Sequence, residues 1–396
     1  MPDFLPYGRQ LIEDDDVAAV VAALRSERLA HGPRVGEFER AFAAAVGAED
    51  AVACSSGTAA LHLALAGLDL GPGDLCVVPA ITFLSTATAA LFCGAEVAFA
   101  DVDPDTGLMT PETLGAALRR AGRPARVALP VHLAGRLCDM PGLAAVAARA
   151  GVRLVEDAPH AVGGVDTEGR PAGACAHSAA ATFSFHPVKT LAAGEGGMVA
   201  LNDRERAERL RRLRNQGVTH EAARMLDPVL SFDAEGRPHP WAYEQLELGF
   251  NYRMNEMEAA LGLSQLGKLP RFAARRRELA ALYDAALAPL APVLRPAPTP
   301  ADGQEPCLHL YVVLIDFEAA GVTRDALVRA LAEQGIGTQV HYIPVNRQPV
   351  FRARYGETRL PGAEAYYTRC LALPLFPAMA DADVLRVADA LAAVLG

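Results

Sequence analysis

Short apolar runs alternate with amphipathic stretches along the first half of this chain, and that alternation restricts the fold more than any other feature does. The runs at 51–54, 75–79, 97–100, 127–131, 152–155 and 180–185 are apolar almost throughout, as expected of strands buried on both faces. Helical stretches precede and separate them, at 14–25, 36–46, 57–68, 83–93, 111–121 and 141–150. In 36–46, Phe38, Phe42 and Val46 recur every fourth residue on one face. Strand, helix, strand in repetition predicts an α/β fold with a mostly parallel sheet. Ligands of such sheets sit at the carboxyl ends of the strands, so the residues that follow each run are the ones to read for chemistry.

The second half is less regular. Residues 203–214 read as a basic, exposed helix. Residues 220–240 lack periodicity and contain Pro228, Gly236, Pro238 and Pro240, a long excursion of the kind that is more often functional than idle. An apolar helix at 255–268 ends before Pro270, and a charged helix at 271–288 follows. The domain boundary is placed there, giving a large domain over 1–268 and a smaller α+β domain over 269–396. The latter has strands at 308–315 and 337–342 and a helix at 324–334.

The formal net charge of -10 argues against a nucleic-acid partner, while leaving room for a small anionic ligand in a local pocket. The seven cysteines are scattered, with no C-x-x-C pair, and read as buried thiols of a reducing compartment. No charged-then-apolar signal pattern opens the chain. The longest apolar stretches fall short of the roughly 20 residues that span a bilayer. The expectation is a cytoplasmic protein with no membrane partner.

Three segments carry candidate chemistry. Ser55-Ser56-Gly57-Thr58-Ala59-Ala60 follows a run and opens a helix, so its small residues, free amides and hydroxyls can make an anion site or simply cap the helix. Val152-Arg153-Leu154-Val155-Glu156-Asp157 ends an apolar strand in acids; Asp157 can pair with a protonated ring nitrogen or close a turn. Thr182-Phe183-Ser184-Phe185-His186-Pro187-Val188-Lys189 delivers a lone lysine to a loop ahead of Gly194-Glu195-Gly196-Gly197. A lysine there is either solvated or neutralised, and a covalent bond to a carbonyl cofactor neutralises it.

Anion turn, then acid, then lysine is the order of a fold type I pyridoxal-phosphate (PLP) enzyme. Across 55–65, 79–103, 156–164, 183–198 and 249–266 the chain resembles the DegT/DnrJ/EryC1/StrS sugar aminotransferases, and the likeness covers essentially its whole length. The resemblance implies an aspartate aminotransferase-like large domain with a mostly parallel sheet and a smaller α+β domain. It implies that Lys189 holds PLP as a Schiff base and that Asp157 keeps the ring nitrogen protonated. Gly57, Thr58 and Ser184 take the phosphate, Phe83 stacks on the ring, and His160 lies beside it, although Pro159 departs from the family's small or hydroxyl residue. Asn251 reaches the phosphate of a neighbouring subunit, which implies a homodimer with shared active sites.

Within the family, four runs resemble the transaminase of pseudaminic acid biosynthesis: Ser184 to Lys189, Glu247 to Arg253, Ala260 to Leu266, and Gln339-Val340-His341-Tyr342-Ile343-Pro344. This likeness implies transfer of an amino group from L-glutamate to C4 of a UDP-linked 4-keto-6-deoxy-N-acetylhexosamine. Tyr7, Glu27, Arg28, Leu29, Ala30, Val340, His341, Tyr342 and Ile343 would contact the nucleotide-sugar substrate. A related keto-sugar linked to dTDP or GDP is the alternative. PLP-dependent sugar dehydratases on the same scaffold carry histidine at the lysine position, so Lys189 speaks against that activity. A ligand-binding protein without chemistry is disfavoured by the intact lysine, acid and turn. A nicotinamide dehydrogenase is disfavoured because no G-x-G-x-x-G follows a strand, and no H-E-x-x-H zinc motif occurs.

Overall fold

The structure, a computed structural model, describes residues 4–299 and 303–395. Seven strands form its main sheet: β1 (Asp50–Cys54), β2 (Leu75–Pro79), β3 (Glu96–Ala100), β4 (Val127–Ala128), β5 (Arg153–Asp157), β6 (Ala180–Ser184) and β7 (Gly197–Leu201). Their order is β1-β7-β6-β5-β4-β2-β3. The neighbours from β6 across to β3 are parallel, and β7 runs antiparallel to both β1 and β6. Every residue of β2 and β7 is buried, as a sheet covered on both faces requires. The expected strand at 127–131 is cut to two residues. Pro130 has no N–H to donate, and beyond Ala128 the pairing is reduced to the Leu129 amide on the Val77 carbonyl, the Asp157 amide on the Pro130 carbonyl and a bridge between Val131 and Asp157.

Nine helices cover this sheet and lead out of it: α1 (Asp14–Leu24), α2 (Pro33–Val46), α3 (Gly57–Ala66), α4 (Leu84–Phe92), α5 (Pro111–Ala121), α6 (Met140–Ala150), α7 (Arg204–Leu213), α8 (Glu256–Leu266) and α9 (Leu269–Leu287). Pro270 falls in the first turn of α9, where a missing N–H costs nothing, so the helix begins at Leu269 instead of after the proline. Helix α7 is not simply exposed. Ala207, Leu210 and Leu213 are buried, and Arg211 and Arg214 reach back to Asp50 and the buried Glu39.

Phe38 and Phe42 of α2 meet Phe183 and Phe185 around β6, with ring centroids 4.9 to 5.5 Å apart. A second small sheet orders Leu294–Pro296, Tyr311–Ile315 and Cys370–Leu373 antiparallel, and packs with Arg324–Glu333 and Asp381–Leu395. Helix α9 joins the two cores: Leu269 and Phe272 pack with the phenylalanine cluster, Leu279 and Tyr283 with the small sheet. Residues 337–342 do not form the expected strand. They pair with the small sheet only through Gln339 and Ala372, then turn inward. The excursion at 220–240 stands between the paired segments Val218–Thr219 and Glu244–Gln245; its Leu226, Val229 and Leu230, and Trp241 just after it, are each more than two-thirds exposed. No helix among the described residues is long and apolar enough to cross a membrane.

Candidate active site

The carboxyl ends of β1, β2, β5 and β6 lie along one edge of the sheet, and a cavity of about 630 Å³ opens there. Each strand hands over to a segment that lines it. After β1, Ser56 caps α3 by accepting from the Ala59 amide, which leaves the first-turn amides of Gly57 and Thr58 without partners inside the helix. Gly57 sits so close to β6 that a Cβ there would lie 2.7 Å from the Ser184 Cβ. The turn is therefore open because it is glycine, and three groups that can bind an anion converge on it: two amides and the Ser184 hydroxyl.

Asp157 ends β5. Its backbone is held by Pro130 and His132, and its side chain is buried at the cavity wall. Burial pushes its carboxyl up, opposed by a 2.5 Å hydrogen bond donated by the Thr86 hydroxyl and by the charge of Lys189. Lys189 follows β6 on the loop toward β7. Its amine has no hydrogen-bond or ion-pair partner among the described residues, and burial lowers its pKa to about 8, with Asp157 opposing. Phe83, 54% exposed, stands at the start of α4 with its ring 6.1 Å from that of Tyr342.

His160 lines the cavity despite the preceding proline. The Ala134 amide donates to its Nδ1 at 3.2 Å, so the ring is the neutral Nε2–H tautomer, and Nε2 faces the Tyr342 hydroxyl at 3.3 Å. Burial holds His160 and His309 well below the usual histidine range and His341 at about 3. His160, His309 and His341 thus present neutral imidazoles to the cavity. Lys189 is the only lysine or arginine lining it among the described residues.

Of the sequence-expected residues, Tyr7, Gly57, Thr58, Phe83, Asp157, His160, Ser184, Lys189, Val340, His341, Tyr342 and Ile343 all line this one cavity. Glu27, Arg28, Leu29 and Ala30 do not. They form an exposed turn after α1, tied to α8 where the Glu256 amide donates to the Leu29 carbonyl. Asn251 also lies away from the cavity, exposed and bridged to Asn215. The structure adds Thr82, Thr86, His309 and Gln348, which were not read from the sequence. Thr82 and Thr86 follow the carboxyl end of β2, and that placement alone could have drawn attention to two of them. His309 precedes the central strand of the small sheet, Gln348 lies between Val345 and Phe351, which pack on the main sheet, and neither carries a local signal.

A phosphorylated pyridine aldehyde fits these residues. The open α3 terminus suits its phosphate, the buried carboxylate of Asp157 its ring nitrogen, and the unpartnered amine of Lys189 its carbonyl. The sequence profile of the DegT/DnrJ/EryC1/StrS aminotransferase family matches residues 10–392. The aminotransferase TlmJ from Streptoalloteichus hindustanus is 32% identical, with 99% of this chain and 98% of that one covered and a TM-score of 0.87. A sugar aminotransferase of Streptococcus pneumoniae, Spr1654, solved in PLP and PMP forms, is 26% identical at a TM-score of 0.87; its PLP form covers 99% of this chain and 98% of its own. Helicobacter pylori PseC, an aminotransferase of pseudaminic acid biosynthesis, is 25% identical, with 99% of both chains covered and a TM-score of 0.88.

Proposed function

This chain belongs to the DegT/DnrJ/EryC1/StrS family of PLP-dependent sugar aminotransferases, and from that membership we propose that it aminates C4 of a UDP-linked 4-keto-6-deoxy-N-acetylhexosamine, with L-glutamate as donor. The observation that carries the proposed site is Lys189: a half-buried amine, partly neutral near pH 8, facing a cavity that also holds Asp157 and an open helix terminus. The UDP-sugar assignment rests on the four sequence runs named above. It is supported by the presence of Tyr7 and Val340 to Ile343 in the same cavity, where a sugar nucleotide would meet them.

The roles follow from position. Lys189 would anchor the cofactor through Nζ, Asp157 would face its ring nitrogen, Gly57, Thr58 and Ser184 would hold its phosphate, and Phe83 and His160 would flank its ring. PLP, when bound, supplies the ring that makes the donor's α-carbon acidic. Once displaced by the donor's amino group, the Lys189 amine takes the proton from that α-carbon; a pKa of about 8 leaves a usable fraction unprotonated at neutral pH. Asp157 stays charged to favour the protonated ring nitrogen. In the second half-reaction Lys189 returns a proton to the carbon being aminated.

The same reading includes a homodimer. A nucleotide sugar carries a diphosphate, and among the described residues Lys189 is the single lysine or arginine lining the cavity of one chain. Asn251 and the apolar protrusion around Trp241 stand clear of that cavity, and the homodimer reading would have them serve a second copy.

The test is to offer L-glutamate with a panel of UDP- and dTDP-linked 3-keto and 4-keto sugars and to identify the product. The expected outcome is 2-oxoglutarate and a UDP-4-amino sugar. Preference for a dTDP-linked or 3-keto acceptor would overturn the proposed substrate and leave the aminotransferase standing. Lys189→Ala is expected to abolish turnover and the absorbance of the lysine-bound cofactor; turnover at the wild-type rate would remove Lys189 from its role.

A further inference from the structure

Thr86 is fully buried in the first turn of α4, and its hydroxyl does not bond back to its own helix. It lies 2.5 Å from Asp157 Oδ2 and 2.6 Å from the Thr82 hydroxyl. An ionised carboxylate only accepts, so the Thr86 proton goes to Asp157. Thr86 then has only its lone pairs to offer Thr82, and Thr82 must donate. The chain has one direction, from Thr82 at the cavity wall through Thr86 to Asp157, and each bond polarises the next. One turn of α4 therefore presents Phe83 to the cavity and Thr86 to the acid.

Resting on the proposed role of Asp157, we infer that Thr86, oriented by Thr82, is a positioning residue that keeps Asp157 ionised and commits Oδ2, leaving Oδ1 for the ring nitrogen of the cofactor. Burial works against the charge on Asp157. The other groups facing this carboxylate are Lys189, His132 (itself paired with Glu156 at 2.9 Å) and Tyr342. Lys189 changes its charge as it anchors and releases the cofactor, and the Tyr342 phenol is neutral. Thr86 is the donor in direct contact whose contribution does not vary through the cycle.

The test uses the full-length protein, with Thr86→Val removing the hydroxyl at nearly constant shape and Thr86→Ser restoring it. PLP titrated into cofactor-free protein should bind Thr86→Val about 10- to 100-fold more weakly, the size of a hydrogen bond to a charged group, and Thr86→Ser close to wild type. The acid limb of the glutamate half-reaction should move to higher pH in Thr86→Val, because an acid without its donor ionises later, and KM for the keto-sugar should hold. In an Asp157→Asn background the same valine substitution should cost little. An unchanged PLP affinity and acid limb in a folded Thr86→Val would overturn the inference. So would an equal loss in the Asp157→Asn background. If Thr86→Val does not fold, Thr82→Val, one link removed, must shift the acid limb the same way by a smaller amount, and no shift there also overturns it. Failure of Asp157→Asn itself to slow proton transfer would instead remove the role of Asp157 on which the inference rests.

Discussion

Holding Lys189 half-buried beside a single carboxylate leaves its ammonium poorly solvated, and the cofactor-free protein carries that strain in its stability. The folded pKa of about 8 lies below the ordinary 10.5. The unfolded chain therefore binds more protons between those two values, and stability rises with pH across that window. Below about pH 8 the penalty is fully present. Replacing the amine should remove it, so cofactor-free Lys189→Met is expected to be more stable than wild type at pH 7 by about 3 kcal/mol. The difference should fade toward pH 10.5. Urea unfolding at several pH values measures this; a variant less stable than wild type at pH 7 would mean that the amine is well solvated before cofactor binds. The neighbouring histidines do not share this titration, because burial keeps His160, His309 and His341 neutral across the neutral range.

Strand β6 illustrates how an element carries a site. Its residues alternate between faces: Phe183 enters the phenylalanine cluster, Ser184 faces the cavity, and Phe185 just beyond the strand returns to the cluster. Removing the Phe42 ring from that cluster should cost about 3–5 kcal/mol in denaturant unfolding, and it should weaken PLP binding through the loosened strand. A Phe42→Ala protein with wild-type stability would show that the cluster does not brace β6. The same element-level logic explains what could be read in advance. Lys189, Asp157 and Gly57 were legible because each stands at or just past the end of an apolar run, and the sheet topology brings those ends together; Ser184 and Phe83 were legible only through the family resemblance. The shortened β4 came from Pro130, which breaks a run that looks continuous by hydrophobicity alone. Residues 337–342 alternate as a strand does, but tertiary packing turns His341 and Tyr342 toward the cavity. Thr86 reaches Asp157 through the register of a helix against the sheet, and His309 through the docking of one core on another. Neither relation is written in local spacing.

At the scale of the whole molecule, the proposed homodimer with shared sites makes a complementation prediction. If Asn251 serves the partner's cavity, an inactive Lys189→Ala chain and an impaired Asn251→Ala chain form one intact site in each mixed dimer. Random mixing should restore about a quarter of the sites to wild-type composition. Assay after subunit exchange, with the assembly mass from sedimentation, checks both statements; a monomer, or mixing without recovery, would remove the shared-site reading. The sheet also has a second rim. Its parallel strands place the cavity at their carboxyl ends, so the turns that enter β2 and β4 lie at the opposite end of the molecule, with Pro72, Gly73, Gly122 and Arg123 exposed. Side chains added at Gly73 or Gly122 would meet nothing within 4 Å, although both glycines have a positive φ, which makes exposed Arg123 the easier site for a substitution. A cysteine introduced at Arg123 and coupled to a solid support would hold the catalyst with its mouth facing the solution, an orientation that the strand directions provide without altering any residue that touches substrate.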